Sequence, residues 1–119
     1  MEGKMSDLRE LAEKVVCFRD EREWKQFHNP KDLALSLSLE ASELLEIFQW
    51  KEGPAIQQVA KDRQQEVADE LADVLSYLLL MAHDTGIDLE SALLSKLAAN
   101  ASRYPIEKAR GSSKKYSDL

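Results

Sequence analysis

Apolar residues recur along most of this chain at helical spacing. Leu8, Leu11, Val15 and Phe18 follow an i, i+3, i+7, i+10 pattern, which predicts a first helix from about Ser6 to Phe27. His28-Asn29-Pro30 breaks the pattern. Asn29 suits an N-cap and Pro30 the first helical position, so a second helix should run to about Trp50, where Lys51-Glu52-Gly53-Pro54 ends it. A polar stretch with a helical turn around Ile56 to Val59 leads to a third helix from about Asp62 to His83. Gly86 then provides a left-handed stop. Asp88 can cap a fourth helix to about Ser102, closed by Arg103-Tyr104-Pro105. The tail from Ile106 to Leu119, with Gly111-Ser112-Ser113-Lys114-Lys115, reads as basic and loosely ordered. The expected architecture is all-α: four helices in one domain over residues 1–119.

The wheel positions of the acidic residues change this picture. On the second helix Ser36, Glu40, Glu43, Ile47 and Trp50 share a sector of about 80°. Leu33, Leu37, Leu44 and Phe48 form a neighbouring apolar face, while Leu35 and Leu39 lie near the opposite side. A helix apolar on more than one face is buried on several sides, in the bundle or at a subunit interface. The third helix repeats the design: Glu66, Glu70, Asp73 and Tyr77 occupy roughly 60°. Val67, Leu71, Val74 and Leu78 make its expected main apolar face, extended by Leu75 and Leu79. Facing one another, Glu40/Glu43 and Glu70/Asp73 would repel and titrate upward unless a divalent cation joined them. Hard oxygen ligands at this density suit Mg²⁺ or Mn²⁺. The competing reading makes these acids solvated surface groups. A di-iron bundle would need Glu-x-x-His pairs, and the residues three before His28 and His83 are Lys25 and Leu80, so that option fails.

Composition narrows the function classes. The 119 residues are 44% hydrophobic and 32% charged, with 4 glycines and 3 prolines, an ordinary globular balance that disfavours a turn-rich β fold. The net charge of −6 is uneven: residues 1–85 carry −8 and residues 86–119 carry +2. An acidic surface argues against a general nucleic-acid binder. The single cysteine, Cys17, rules out an intrachain disulfide and any Cys-rich zinc pattern. The N-terminus lacks the apolar core of a signal peptide, and the longest nearly apolar run, Val74–Ala82, falls far short of the ~20 residues that span a bilayer. The expected setting is a reducing cytoplasm, with no membrane partner.

Leu39-Glu40-Ala41-Ser42-Glu43-Leu44 through Phe48-Gln49-Trp50, followed by Glu70-Leu71-Ala72-Asp73-Val74-Leu75-Ser76-Tyr77, resembles the E-x-x-E … E-x-x-D signature of the all-α nucleotide pyrophosphohydrolases (MazG-like). Trp24-Lys25-Gln26-Phe27-His28 and Leu94-Ser95-Lys96 … Asn100 … Arg103-Tyr104-Pro105 bring the resemblance closest to the dCTP pyrophosphatase branch, and it spans residues 6–117. The resemblance implies a four-helix MazG-like bundle that hydrolyses a nucleoside triphosphate between its α and β phosphates. It also implies Mg²⁺ held by Glu40, Glu43, Glu70 and Asp73, and a homotetramer built as a dimer of dimers. The family pattern selects Glu70/Asp73; spacing alone leaves Glu66/Asp69 open, with Glu66 a candidate for an outer position beside the cation.

The remaining roles follow from chemistry. Glu40, or else Glu43, is expected to take the proton of the attacking water. Lys96, Asn100 and Arg103, at i, i+4, i+7, share a helix face that can grip phosphates, although a solvated basic face has the same spacing. Trp24, Trp50, His28 and Tyr77 are candidates for the base and sugar pocket, because aromatic faces stack on bases and a histidine can read a base edge. Simple core packing competes for the two tryptophans. His83 and Cys17 read as structural. Three alternatives stand beside this reading: another base preference such as dUTP or dATP, a non-catalytic helical oligomerisation module, and phosphoribosyl-ATP pyrophosphohydrolase. Trp24, Trp50 and the R-Y-P segment disfavour the last.

Overall fold

A computed structural model describes residues 7–119. Among these it contains six α-helices, two short 3₁₀ turns and no strand. The chain divides after Gly86 into two compact units.

The first unit holds four helices. Helix α1 (Leu8–Glu21) starts where the Asp7 carboxylate accepts the Glu10 N–H at 2.9 Å, a side-chain N-cap. The expected start at Ser6 lies outside the described residues. The helix stops six residues before the expected Phe27. Arg22 and Glu23 leave the helix, Glu23 adopts φ +55°, and the Arg19 carbonyl accepts the N–H groups of both Arg22 and Trp24. Lys25–Phe27 then forms a 3₁₀ turn. Helix α2 (Pro30–Phe48) begins as local chemistry dictates. Asn29 accepts from the Asp32 N–H at 2.9 Å and donates to the Asp32 carboxylate at 2.8 Å, with Pro30 in the first turn.

The turn expected near Ile56 is a nine-residue helix, α3 (Pro54–Asp62), entered through Gly53 at φ +56°. Arg63 breaks the helical path, and α4 (Gln64–Thr85) follows until Gly86 closes it in the left-handed conformation. Helix α4 is the hub of this unit: α2 packs on it most extensively, and α1 and α3 also lie against it. Leu33 and Ile47 of α2, Val59 of α3, and Leu79, Leu80 and Ala82 of α4 are buried. The apolar face expected on α4 is split: Val67 and Val74 are half-buried and Leu79 is buried, while Leu71, Leu75 and Leu78 are exposed. Half-buried Glu70, Val74 and Tyr77 occupy the inner side. The opposite side of α2 is likewise open, with Leu35 and Leu39 at 55% and 56% exposure.

The second unit, Ile87–Leu119, contains α5 (Leu89–Arg103), capped by Asp88 accepting from the Ser91 N–H at 3.2 Å. The tail, expected to be loosely ordered, carries a short α6 (Ile106–Ala109) and a 3₁₀ turn at Tyr116–Asp118. Tyr116 explains the order: its ring sits edge-on to Tyr104 at 5.9 Å, and the Arg103 guanidinium lies 5.1 Å from its centre. Two short helices, α3 and α6, thus supplement the four expected from periodicity. No helix among the described residues is long and apolar enough to cross a membrane.

Candidate active site

The contact between α2 and α4 brings carboxylates together. Glu40 and Glu43 sit one turn apart on α2, Glu70 projects from α4, and one oxygen from each lies within 4.8 Å of the others. Glu40 and Glu70 are half-buried and Glu43 is exposed. Asp73, one turn beyond Glu70 and a methylene shorter, stands outside this trio on an exposed position. Its charge nevertheless reaches both Glu40 and Glu70.

The electrostatics are those of an overfilled acidic site. Burial pushes the Glu40 carboxyl up to about 7, and the neighbouring Glu43, Glu70 and Asp73 carboxylates add to the shift. Burial also raises Glu70, with Glu43 and Asp73 adding to it, against a partial offset from its contact with Glu40. Glu40 Oε2 and Glu70 Oε2 are buried and have no hydrogen-bond partner among the described residues. Buried carboxylate oxygens without donors are costly. A hard divalent cation would remove both defects, taking the orphaned oxygens as ligands and offsetting the repulsion. The donor set fits such an ion.

Glu66 and Asp69, the other possible E-x-x-D register, are engaged elsewhere. Glu66 pairs with Arg63, which holds its carboxyl below the usual range, and Asp69 accepts from Gln65 at 2.8 Å. The candidate outer role of Glu66 beside the cation therefore has a competitor in Arg63. Tyr77 is half-buried one turn beyond Asp73.

The aromatic candidates are distributed unevenly. Trp24 packs edge-on against Phe18 at 5.8 Å, with Arg22 over the Phe18 ring at 3.7 Å. Trp50, just past α2, is 85% exposed. His28 is half-buried, its Nδ1 3.4 Å from Arg19 Nη1. Lys96, Asn100 and Arg103 belong to α5 in the second unit; Lys96 and Arg103 are exposed, Asn100 is half-buried, and Arg103 lies against Tyr116. Cys17 is exposed and donates to Glu21 at 3.0 Å, a contact that raises its thiol pKa and keeps it protonated.

Arg19 and Asp84 belong to no motif of the sequence, yet their contacts hold the segment carrying Trp24 and His28. Both left a signal. Arg19 falls about 20° from Leu8 on the wheel of α1, a cation inside an apolar stripe. Asp84 lies 18 residues from Glu66, so it continues the acidic stripe of α4 to its end.

Comparison with known proteins gives the family. Residues 35–119 match the MazG-like family. The dCTP pyrophosphatase 1 of Homo sapiens is 42% identical over 120 aligned residues, spanning 99% of this chain and 69% of the relative. That of Bos taurus is 41% identical with the same coverage. A crystal structure of a pyrophosphatase from Archaeoglobus fulgidus DSM 4304 superposes with a TM-score of 0.80 at 39% identity, covering 88% of this chain and 98% of that one. The chain is a member of the MazG-like family.

Proposed function

We propose that this protein is a Mg²⁺-dependent pyrophosphohydrolase that splits a deoxynucleoside triphosphate, dCTP or a modified dCTP before others, into the monophosphate and pyrophosphate. The observation that carries this reading is the trio Glu40, Glu43 and Glu70 with two buried, donorless oxygens. The dCTP pyrophosphatases at 41–42% identity support the substrate class.

Glu40, Glu43, Glu70 and Asp73 would hold the cation, and Mn²⁺ is an acceptable substitute on the same oxygen donors. When bound, the ion supplies positive charge for the phosphates and a means of acidifying water. Glu40, half-buried beside Glu43 and Glu70, would take the proton of the attacking water as the α–β anhydride bond breaks. Glu43 is the second candidate for that proton. Lys96, Asn100 and Arg103 would grip the phosphates, leaving positioning and charge stabilisation as the chief demands of the reaction. Trp24, Trp50 and His28 would receive the base, and Tyr77 would stack on the deoxyribose, where a 2′-hydroxyl meets the ring.

The outward leucines of α2 and α4 support assembly into a homo-oligomer, in this reading a dimer of dimers, since a helix apolar on two sides needs a second partner. The cytoplasm suits the single exposed thiol. The test is a panel of triphosphates with and without Mg²⁺, scored by separating monophosphate from diphosphate product. Monophosphate and pyrophosphate, with dCTP among the best substrates and no turnover in Glu40→Gln or Asp73→Asn, is the expected result. A diphosphate product would overturn the bond assignment.

A further inference from the structure

The connection between α1 and α2 is held by a buried ion pair that the proposed chemistry does not use. Arg19 is 1% exposed, and its Nη1 and Nη2 donate to the two carboxylate oxygens of Asp84 at 2.7 and 2.9 Å. This two-pronged geometry fixes the plane of the guanidinium. Lys25, in the 3₁₀ turn, adds a third contact, its Nζ 3.7 Å from Asp84 Oδ1. The main chain of Arg19 is committed as well, because its carbonyl accepts the N–H of Trp24 at 3.1 Å. One residue therefore positions the turn by its backbone and faces His28 with its side chain.

That contact fixes the histidine. A guanidinium has only donors. The 3.4 Å approach of Arg19 Nη1 to His28 Nδ1 is a hydrogen bond only when Nδ1 presents its lone pair and the ring proton sits on Nε2. The charged groups acting on the ring are Arg19 from α1, Asp84 from α4 and Asp32 from α2. Burial and the Arg19 charge outweigh the two carboxylates and hold the imidazole below its ordinary range, so the ring is neutral at physiological pH. A buried ion pair adds little net stability over an apolar pair of the same volume. Its value here lies in orientation.

We propose that Arg19, clamped by Asp84, is a positioning residue that holds His28 as its neutral Nε2–H tautomer, so that the imidazole offers one fixed hydrogen-bond donor to the nucleotide base. This rests on the reading above that His28 contacts the substrate. A fixed donor accepts a base edge bearing a carbonyl oxygen or an unprotonated ring nitrogen, and it opposes an amino or N–H group at the same point, where two donors would face each other.

The first test needs no substrate. A long-range ¹H–¹⁵N spectrum of histidine-labelled protein, with His28→Ala separating its signals from those of His83, should give an unprotonated Nδ1 and a protonated Nε2. Arg19→Gln should mix the tautomers and raise the KM for dCTP about five- to tenfold, the loss of one hydrogen bond, while kcat stays within about twofold. In a His28→Ala background the same substitution should add nothing further. A wild-type ring protonated on Nδ1 overturns the proposal, as do losses that multiply in the double variant. If Arg19→Gln does not fold, Asp84→Asn replaces it in the comparison, and the wild-type spectrum decides by itself. A wild-type protein without pyrophosphohydrolase activity would count against the proposed function, and the tautomer would still be read from the spectrum.

Discussion

Lowering the pH should weaken cation binding by an amount the carboxylate trio sets. In the proposed site Glu40 must be ionised to ligate, and in the metal-free protein burial raises its carboxyl to about 7. From this one group, the protonated fraction rises from roughly a tenth at pH 8 to nearly all at pH 5.5, so the apparent Kd for Mg²⁺ should rise about thirtyfold. Metal-free stability should move in the opposite direction from the usual carboxylate case. The folded protein holds the Glu40 proton more tightly than the unfolded chain, whose reference value is 4.5. Between 4.5 and about 7 the folded state therefore binds more protons, and stability falls as pH rises through that window. Asp84, held below its usual 3.8 by Arg19, loses its contribution only at pH values below that window. Calorimetric titration of Mg²⁺ or Mn²⁺ at pH 8 and pH 5.5 measures the first effect. Thermal melts of the metal-free protein across the same range, with Glu40→Gln as the control that lacks the titrating group, measure the second. A wild-type Kd constant within about twofold, beside melting curves that shift no more than those of Glu40→Gln, would refute the assignment.

Three further variants have expected outcomes. Leu33 has 0% exposure at the centre of the α2 contact, so Leu33→Ala should cost about 2–5 kcal/mol in urea unfolding, the range for a fully buried leucine. Trp50 is 85% exposed, so Trp50→Ala should change stability by less than about 0.5 kcal/mol. If its ring stacks on the base, the same variant should lose about 1–3 kcal/mol of nucleotide binding, or roughly five- to 150-fold in Kd. Leu39→Glu, on the outward side of α2, should shift the protein toward smaller species in light scattering while its helical circular dichroism persists.

The parts of this fold that local chemistry controls could be read directly. Asn29-Pro30 opens α2, while Gly86 and Asp88 divide α4 from α5, because caps and left-handed stops involve only near neighbours. The end of α1 was hidden. Its turn is made by a glutamate at φ +55°, with no glycine or proline to mark it. Periodicity located the apolar faces of α4 but not which of them this chain covers: Leu71, Leu75 and Leu78 look inward on a wheel and outward in the structure. The acidic stripes were legible for the same reason as the faces, since 3.6 residues per turn brings Glu40 over Glu43 and Glu70 over Asp73. Register was not, because Glu66/Asp69 satisfies the same spacing. Their engagement by Arg63 and Gln65 depends on side-chain geometry that spacing does not encode.

The span of the Arg19–Asp84 pair has a consequence for biosynthesis. Arg19 leaves the ribosome 65 residues ahead of the carboxylate that fixes it. Until α4 has been made, the end of the first helix rests on short-range contacts such as those of the Arg19 carbonyl with Arg22 and Trp24. The Arg19 clamp beside His28 therefore closes only once that distant part of the chain has been made.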